Sequence, residues 1–153
     1  MAKTASMAAL LHVALQDLHA GKALLVGRLP ALAEAASDAG LRAAIAAMRE
    51  HAAAARDRLA ALNAQGGPPS LWMAGIADDA DRDAGSHLPG RILDTALVGA
   101  LRKACAAEIV SLDTALALAV AQAPGMVAPL DAIRTDTVAD DRALHDLLGR
   151  LTL

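Results

Sequence analysis

Leu97-Val98-Gly99-Ala100-Leu101-Arg102-Lys103-Ala104-Cys105-Ala106-Ala107-Glu108-Ile109-Val110-Ser111-Leu112-Asp113-Thr114-Ala115-Leu116-Ala117-Leu118-Ala119 decides the fold. Steps of four and three residues pick out Leu97, Leu101, Ala104, Glu108, Leu112, Ala115 and Ala119. That spacing is one face of a long helix. Every position but one is apolar, and the exception is a carboxylate near the middle. A carboxylate buried in an apolar seam needs a cation, a metal or a proton. The functional question is which of these Glu108 has.

The same pattern recurs on both sides of this stretch. Leu11, Leu15, Leu18, Lys22, Leu25, Leu29 and Leu32 form the seam of a first helix, expected over Thr4 to Ala36, with a kink or local break at Pro30. Ser37-Asp38-Ala39-Gly40 should end it and cap the next. A second helix is expected over Leu41 to Ala64, with Leu41, Ile45, Met48, Ala52, Ala55, Leu59 and Leu62 on one face and His51 at its border. Gly66-Gly67-Pro68-Pro69 stops it. Leu71 to Ala77 reads as a short helical turn and Asp78 to Gly90 as a long crossover loop. The third helix runs from Arg91 to the Pro124-Gly125 break. The fourth spans Val127 to Leu151, with Pro129 in its first turn and Leu130, Ile133, Thr137, Asp140 or Asp141, Leu144, Leu148 and Leu151 as its seam. Residues 1–153 thus read as one all-α domain, a ferritin-like four-helix bundle with its long crossover between helices two and three.

Composition agrees with that class. The chain is 56% hydrophobic but 1% aromatic, with one Trp and no Tyr or Phe. Its apolar mass is Ala and Leu, the strongest helix formers. A formal net charge of −3 without a Lys/Arg cluster, and the lack of stacking aromatics, argue against a nucleic-acid partner. Cys105 is the only cysteine, which excludes an intrachain disulfide and Cys-rich zinc sites and fits a cytoplasmic location. The Met7–Leu15 run behind Lys3 is a poor secretory signal, because His12 interrupts it and the helical period continues beyond it. Arg102, Lys103, Glu108 and Asp113 break the best candidate for a membrane span, so no membrane association is expected.

Each helix places a polar residue near the midpoint of its seam: Lys22, His51, Glu108, and on the last helix Asp136 or its neighbours Asp140 and Asp141. At about 1.5 Å rise per residue these midpoints meet at similar depth in an antiparallel bundle. Di-iron bundles use a Glu from two helices and Glu-x-x-His from the other two. That pattern is not met here, since Met48 precedes His51 by three residues and Ala139 follows Asp136 by three.

Asp17-Leu18-His19-Ala20-Gly21-Lys22-Ala23-Leu24-Leu25 and Leu29-Pro30-Ala31-Leu32-Ala33-Glu34-Ala35-Ala36 resemble the first helix of the bacterial YciE/YciF ferritin-like family. Leu41 to Leu59 with His51, Met73-Ala74-Gly75-Ile76, Asp94-Thr95-Ala96-Leu97 and Glu108-Ile109 follow in the family's order and spacing. The resemblance covers nearly the whole chain. It implies a ferritin-like bundle with a two-metal centre and a stress-associated role. The family usually has Glu where Lys22 stands and Tyr where His19 stands. It has an acid or amide at Ala54, Glu-His-Tyr at Cys105-Ala106-Ala107, and a Glu pair at Asp136-Thr137. His51, Glu108 and Asp136 are the ligand positions that remain.

Two readings of Lys22 stay open: a snorkelling side chain at the bundle edge, or an ammonium that stands where a metal stood and pairs with Glu108. For the other residues the plain readings are a bordering His51, a buried inert Cys105 and a solvated face at Asp136, Asp140 and Asp141. No serine has a base at helpful spacing, and Gly66-Gly67 lacks phosphate-loop spacing. The leading expectation is a non-catalytic bundle without a cofactor, acting through its surfaces or as a homo-oligomer, a dimer. The alternative is an oxidase or storage protein holding iron, manganese or zinc at His51, Glu108 and Asp136. A third is a helical interaction module that docks a protein partner through the Trp72 segment.

Overall fold

In the computed structural model, which describes residues 2–153, the chain forms five helices: α1 (Met7–Ala35), α2 (Ala39–Ala61), α3 (Leu71–Ser86), α4 (Arg91–Gln122) and α5 (Val127–Leu151). A single 3₁₀ turn, Pro124–Met126, joins the last two. α1, α2, α4 and α5 make an antiparallel bundle. α1 packs on α2 and α4, and α5 packs on α4 and α2. α2 and α4 run the same way, so the chain must cross the length of the bundle between them. The all-α bundle with one long crossover, expected from the seams, is the architecture found.

The helix ends follow from local chemistry. Ser6 accepts the amide of Ala9 at 3.1 Å and caps α1. α2 ends in a Schellman arrangement: Asn63 sits at φ 60°, its amide reaches the Ala60 carbonyl, and the Ala64 amide reaches Leu59. The α1–α2 turn is tied down from outside. Asp94 on α4, itself buried, accepts the amides of Ser37 at 2.8 Å and Asp38 at 2.9 Å. Asp38 then caps α2 at the Leu41 amide and takes both ends of the Arg150 guanidinium. Arg150 and the Leu41 amide hold the Asp38 carboxyl down at about 2.

Two expectations are corrected. Pro30 does not break α1, which continues to Ala35. A proline cannot donate to the carbonyl four residues back, and here that carbonyl, on Val26, accepts Arg49 Nε from α2 at 3.1 Å. The crossover is not a loop from Asp78 onward, because α3 runs to Ser86. Its helical phase continues through Met73, Ala77 and Ala80, all buried. Its aspartates bond outward, Asp78 and Asp81 to Arg28 on α1 and Asp79 to Lys103 on α4. Their polarity marks the outer side of a helix rather than a loop.

The seam residues are the core. By length and composition alone α4 could cross a membrane, but here its Leu97–Ala119 face lies at the centre of the bundle. The apolar interior falls into two clusters. One holds Leu25, Leu29, Ile45, Met48, Leu97, Leu101 and Leu144. The other holds Leu11, Leu15, Leu18, Leu59, Leu112, Leu130 and Ile133. Between Leu18 and Leu25 on α1 stands Lys22, between Leu101 and Leu112 on α4 stands Glu108, and between Ile133 and Leu144 on α5 stand Thr137 and Asp140. A polar layer divides the core.

Asp94→Ala should leave two part-buried amides of the α1–α2 turn without their acceptor, costing about 1–2 kcal/mol. Urea unfolding should show this as a lower midpoint at an unchanged slope.

Candidate functional site

The layer is assembled where the seams of α1, α4 and α5 pass through the same depth, with His51 of α2 at its edge. Lys22 and Glu108 both lie on the buried faces of their helices, with side chains 5% and 2% exposed, and the ammonium is in ionic contact with Glu108 Oε2. Nζ also reaches Thr137 Oγ1 at 3.4 Å. The Thr137 hydroxyl donates to the Ile133 carbonyl at 3.0 Å, so its oxygen is left to accept from the lysine. Glu108 Oε1 receives no donor.

On the α2–α5 side, His51 Nδ1 bonds Asp140 Oδ1 at 2.7 Å. Asp140 is buried, while the imidazole is 37% exposed. His51 thus forms the solvent side of the layer and Glu108 its innermost point. The buried face of α2 brings Ala52 and Ala55 to the depth where the two apolar clusters meet.

The electrostatics follow from burial. Desolvation pushes the Glu108 carboxyl above the usual carboxylate range, and the Lys22 ammonium pulls it back. Asp140 is raised for the same reason, opposed by its bond to His51. Cys105, buried one helical turn from Glu108, has its thiol raised far above the ordinary value by burial and by the Glu108 charge. A thiol held protonated is a poor nucleophile.

Of the positions singled out in the sequence, the structure brings Lys22 and Glu108 together and places His51 at the layer's edge. Asp136 is elsewhere: its carboxylate meets Arg58 at 3.4 Å on the half-exposed rim. The inward residues of α5 are Thr137 and Asp140. Asp136 is one residue, about 100°, out of phase with the seam. The partner of His51 is Asp140, one of the two aspartates, Asp140 or Asp141, that the α5 seam left open.

The residues of the layer do not fit a two-metal centre. The one carboxylate that α4 contributes is already neutralised by a resident cation. α1 offers that cation instead of an acid, α2 offers alanines, and the acid of α5 is spent on His51. Among the described residues no three His, Cys, Asp or Glu side chains gather as a ligand set.

The sequence matches, over residues 6–153, the family model described as a domain of unknown function, DUF892. The chain belongs to this family. The resemblance to the YciE/YciF proteins is borne out by solved structures. The crystal structure of the E. coli stress protein YciF superimposes with a TM-score of 0.91 at 23% identity, covering 96% of this chain and 97% of that one. YcfI from Rhodopseudomonas palustris superimposes with a TM-score of 0.88 at 21% identity, covering 94% and 95%. At such identities the likeness establishes the shared fold. A comparison with curated proteins returned no match.

Lys22→Met should leave a buried carboxylate without its counter-charge and destabilise the DUF892 fold by about 3–5 kcal/mol. Lys22→Met combined with Glu108→Gln should recover most of that loss, and the double-mutant cycle measures the coupling. The deficit of Lys22→Met should depend on pH. A carboxyl raised by burial takes up a proton on folding, so its contribution is present below the unfolded value and lost as pH rises through the folded one. Without Lys22 the folded value rises further. The gap between Lys22→Met and parent should therefore narrow on going from about pH 8 to about pH 5, as read by chemical unfolding.

Proposed function

We propose that this DUF892 protein is a non-catalytic bundle of the YciE/YciF type in which an internal ion pair has taken the place of a two-metal centre. The carrying observation is the Lys22 ammonium in ionic contact with Glu108 at the centre of the polar layer. A dication sited there would face a positive charge at contact distance, in a medium that screens poorly. The same pair supplies what a structural metal would supply. It ties α1 to α4 at mid-height and fixes their register, a use well attested for buried polar groups.

A protein without chemistry in its core acts through its outside. The exposed Leu10, Val13 and Leu71 lie beside the half-buried Trp72, whose indole donates to Asp17 at 2.5 Å. This apolar surface suits a homodimer contact in the cytoplasm. A stress-associated role rests on the likeness to the E. coli stress protein.

The deciding experiment is metal analysis by mass spectrometry on protein expressed with added iron and manganese and purified without chelators. The expected content is far below one metal per chain. Stoichiometric metal that disappears in Glu108→Ala would overturn the proposal in favour of a metal site that includes Glu108.

A further inference from the structure

The end of the bundle opposite the Asp94 cap carries a concavity that the polar layer does not explain. Here α1 begins, α2 and α4 end, and the 3₁₀ turn leads into α5. Between them lies a partly enclosed cavity of about 200 Å³. Leu11 and Leu15, 3% and 1% exposed, line its inner side, with the half-buried Leu62 and Met126. His12 and Gln122 also line it and are exposed, so the polar atoms sit at the solvent side.

Its origin is compositional. The chain has no Phe or Tyr, and the wall positions Ala8 and Ala123 carry single methyl groups. Nothing large closes this end. A concavity lined by Leu and Met accepts apolar ligands readily, and about 150 Å³ is enough for benzene. Pockets for drug-sized molecules begin near about 300 Å³, so the occupant is small. None of the residues lining it is Asp, Glu, Lys or Arg. A charged ligand would lose its hydration without a counter-ion, whereas a hydroxyl or amide could bond the imidazole or the carboxamide at the mouth.

We propose that this end of the bundle is a binding site for a small neutral amphiphile: a single ring or short branched chain bearing one hydroxyl or amide group. The ring packs on Leu11, Leu15, Leu62 and Met126, and the polar group faces His12 and Gln122. The site is independent of the Lys22–Glu108 layer.

The test uses phenol as the probe and follows the Leu and Met methyl groups of the full chain by NMR. Phenol should bind saturably with a Kd of about 1 mM or tighter, with the largest shifts at Leu11, Leu15, Leu62 and Met126. Benzoate should bind at least about ten-fold more weakly, since its charge must be desolvated. Ala8→Phe, at an exposed helical position, fills the cavity and should weaken phenol at least about ten-fold with the melting temperature unchanged. If Ala8→Phe does not fold, Ala123→Leu plugs the opposite wall and is read the same way. Shifts that do not saturate or that scatter over exposed leucines would overturn the proposal. So would benzoate binding as well as phenol, or a folded plugged variant that binds like the parent.

Discussion

An ammonium and a carboxylate in contact, buried between two apolar clusters, are the constraint on which this bundle depends. Either charge alone at that depth would be expelled or neutralised. Together they are tolerable, because each supplies the counter-charge that water would otherwise supply. The pair is not a large source of stability, since removing two charges from water costs about what their attraction returns. What it enforces is alignment. Lys22 can meet Glu108 only when α1 and α4 pack at one register, and Thr137 joins only when α5 does so too. The leucines around them could repack after a shift of one turn, but the charges could not.

The rest of the fold is arranged so that this alignment is available. Asp94 ties the α1–α2 turn to α4, and Arg150 ties the same turn to α5 through Asp38. Arg49 occupies the carbonyl that Pro30 leaves free, which lets α1 run on toward that turn. α3 lies across α1 and α4, held by Arg28 and Lys103 on its acidic side and by Met73, Ala77 and Ala80 beneath. The polar contacts at the bundle surface and the polar layer inside therefore constrain the same helix pairs from two sides.

Under the proposed reading, the layer stands where relatives are expected to carry metal ligands. A structural metal neutralises inward-facing acids and joins helices. A lysine on one helix facing a glutamate on another does both with two residues and leaves no demand on neighbouring positions. Cys105, Ala106, Ala107 and Ala54 are then free to be small. Of these, only Cys105 is buried, a small side chain in a core with almost no aromatic mass. The same shortage leaves the far end of the bundle concave.

Much of this was legible in the sequence. Periodicity identified the four long helices and placed Lys22, His51 and Glu108 at one depth, because a helix seam is a one-dimensional property of spacing. The seam of α5, read residue by residue, already carried Thr137 and either Asp140 or Asp141. Other features were not legible, for physical reasons. The aspartates of α3 read as a loop because their partners, Arg28 and Lys103, lie on other helices. Asp136 looked like a ligand position until helix packing set the phase of α5 and turned it toward Arg58. The role of Asp94 depends on a turn more than fifty residues earlier in the chain. The sequence by itself determined the helical seams and the height at which their polar residues fall. Only the tertiary structure decided which of them face each other, since a contact between two helices depends on their rotation and distance as well as on the pattern along each one.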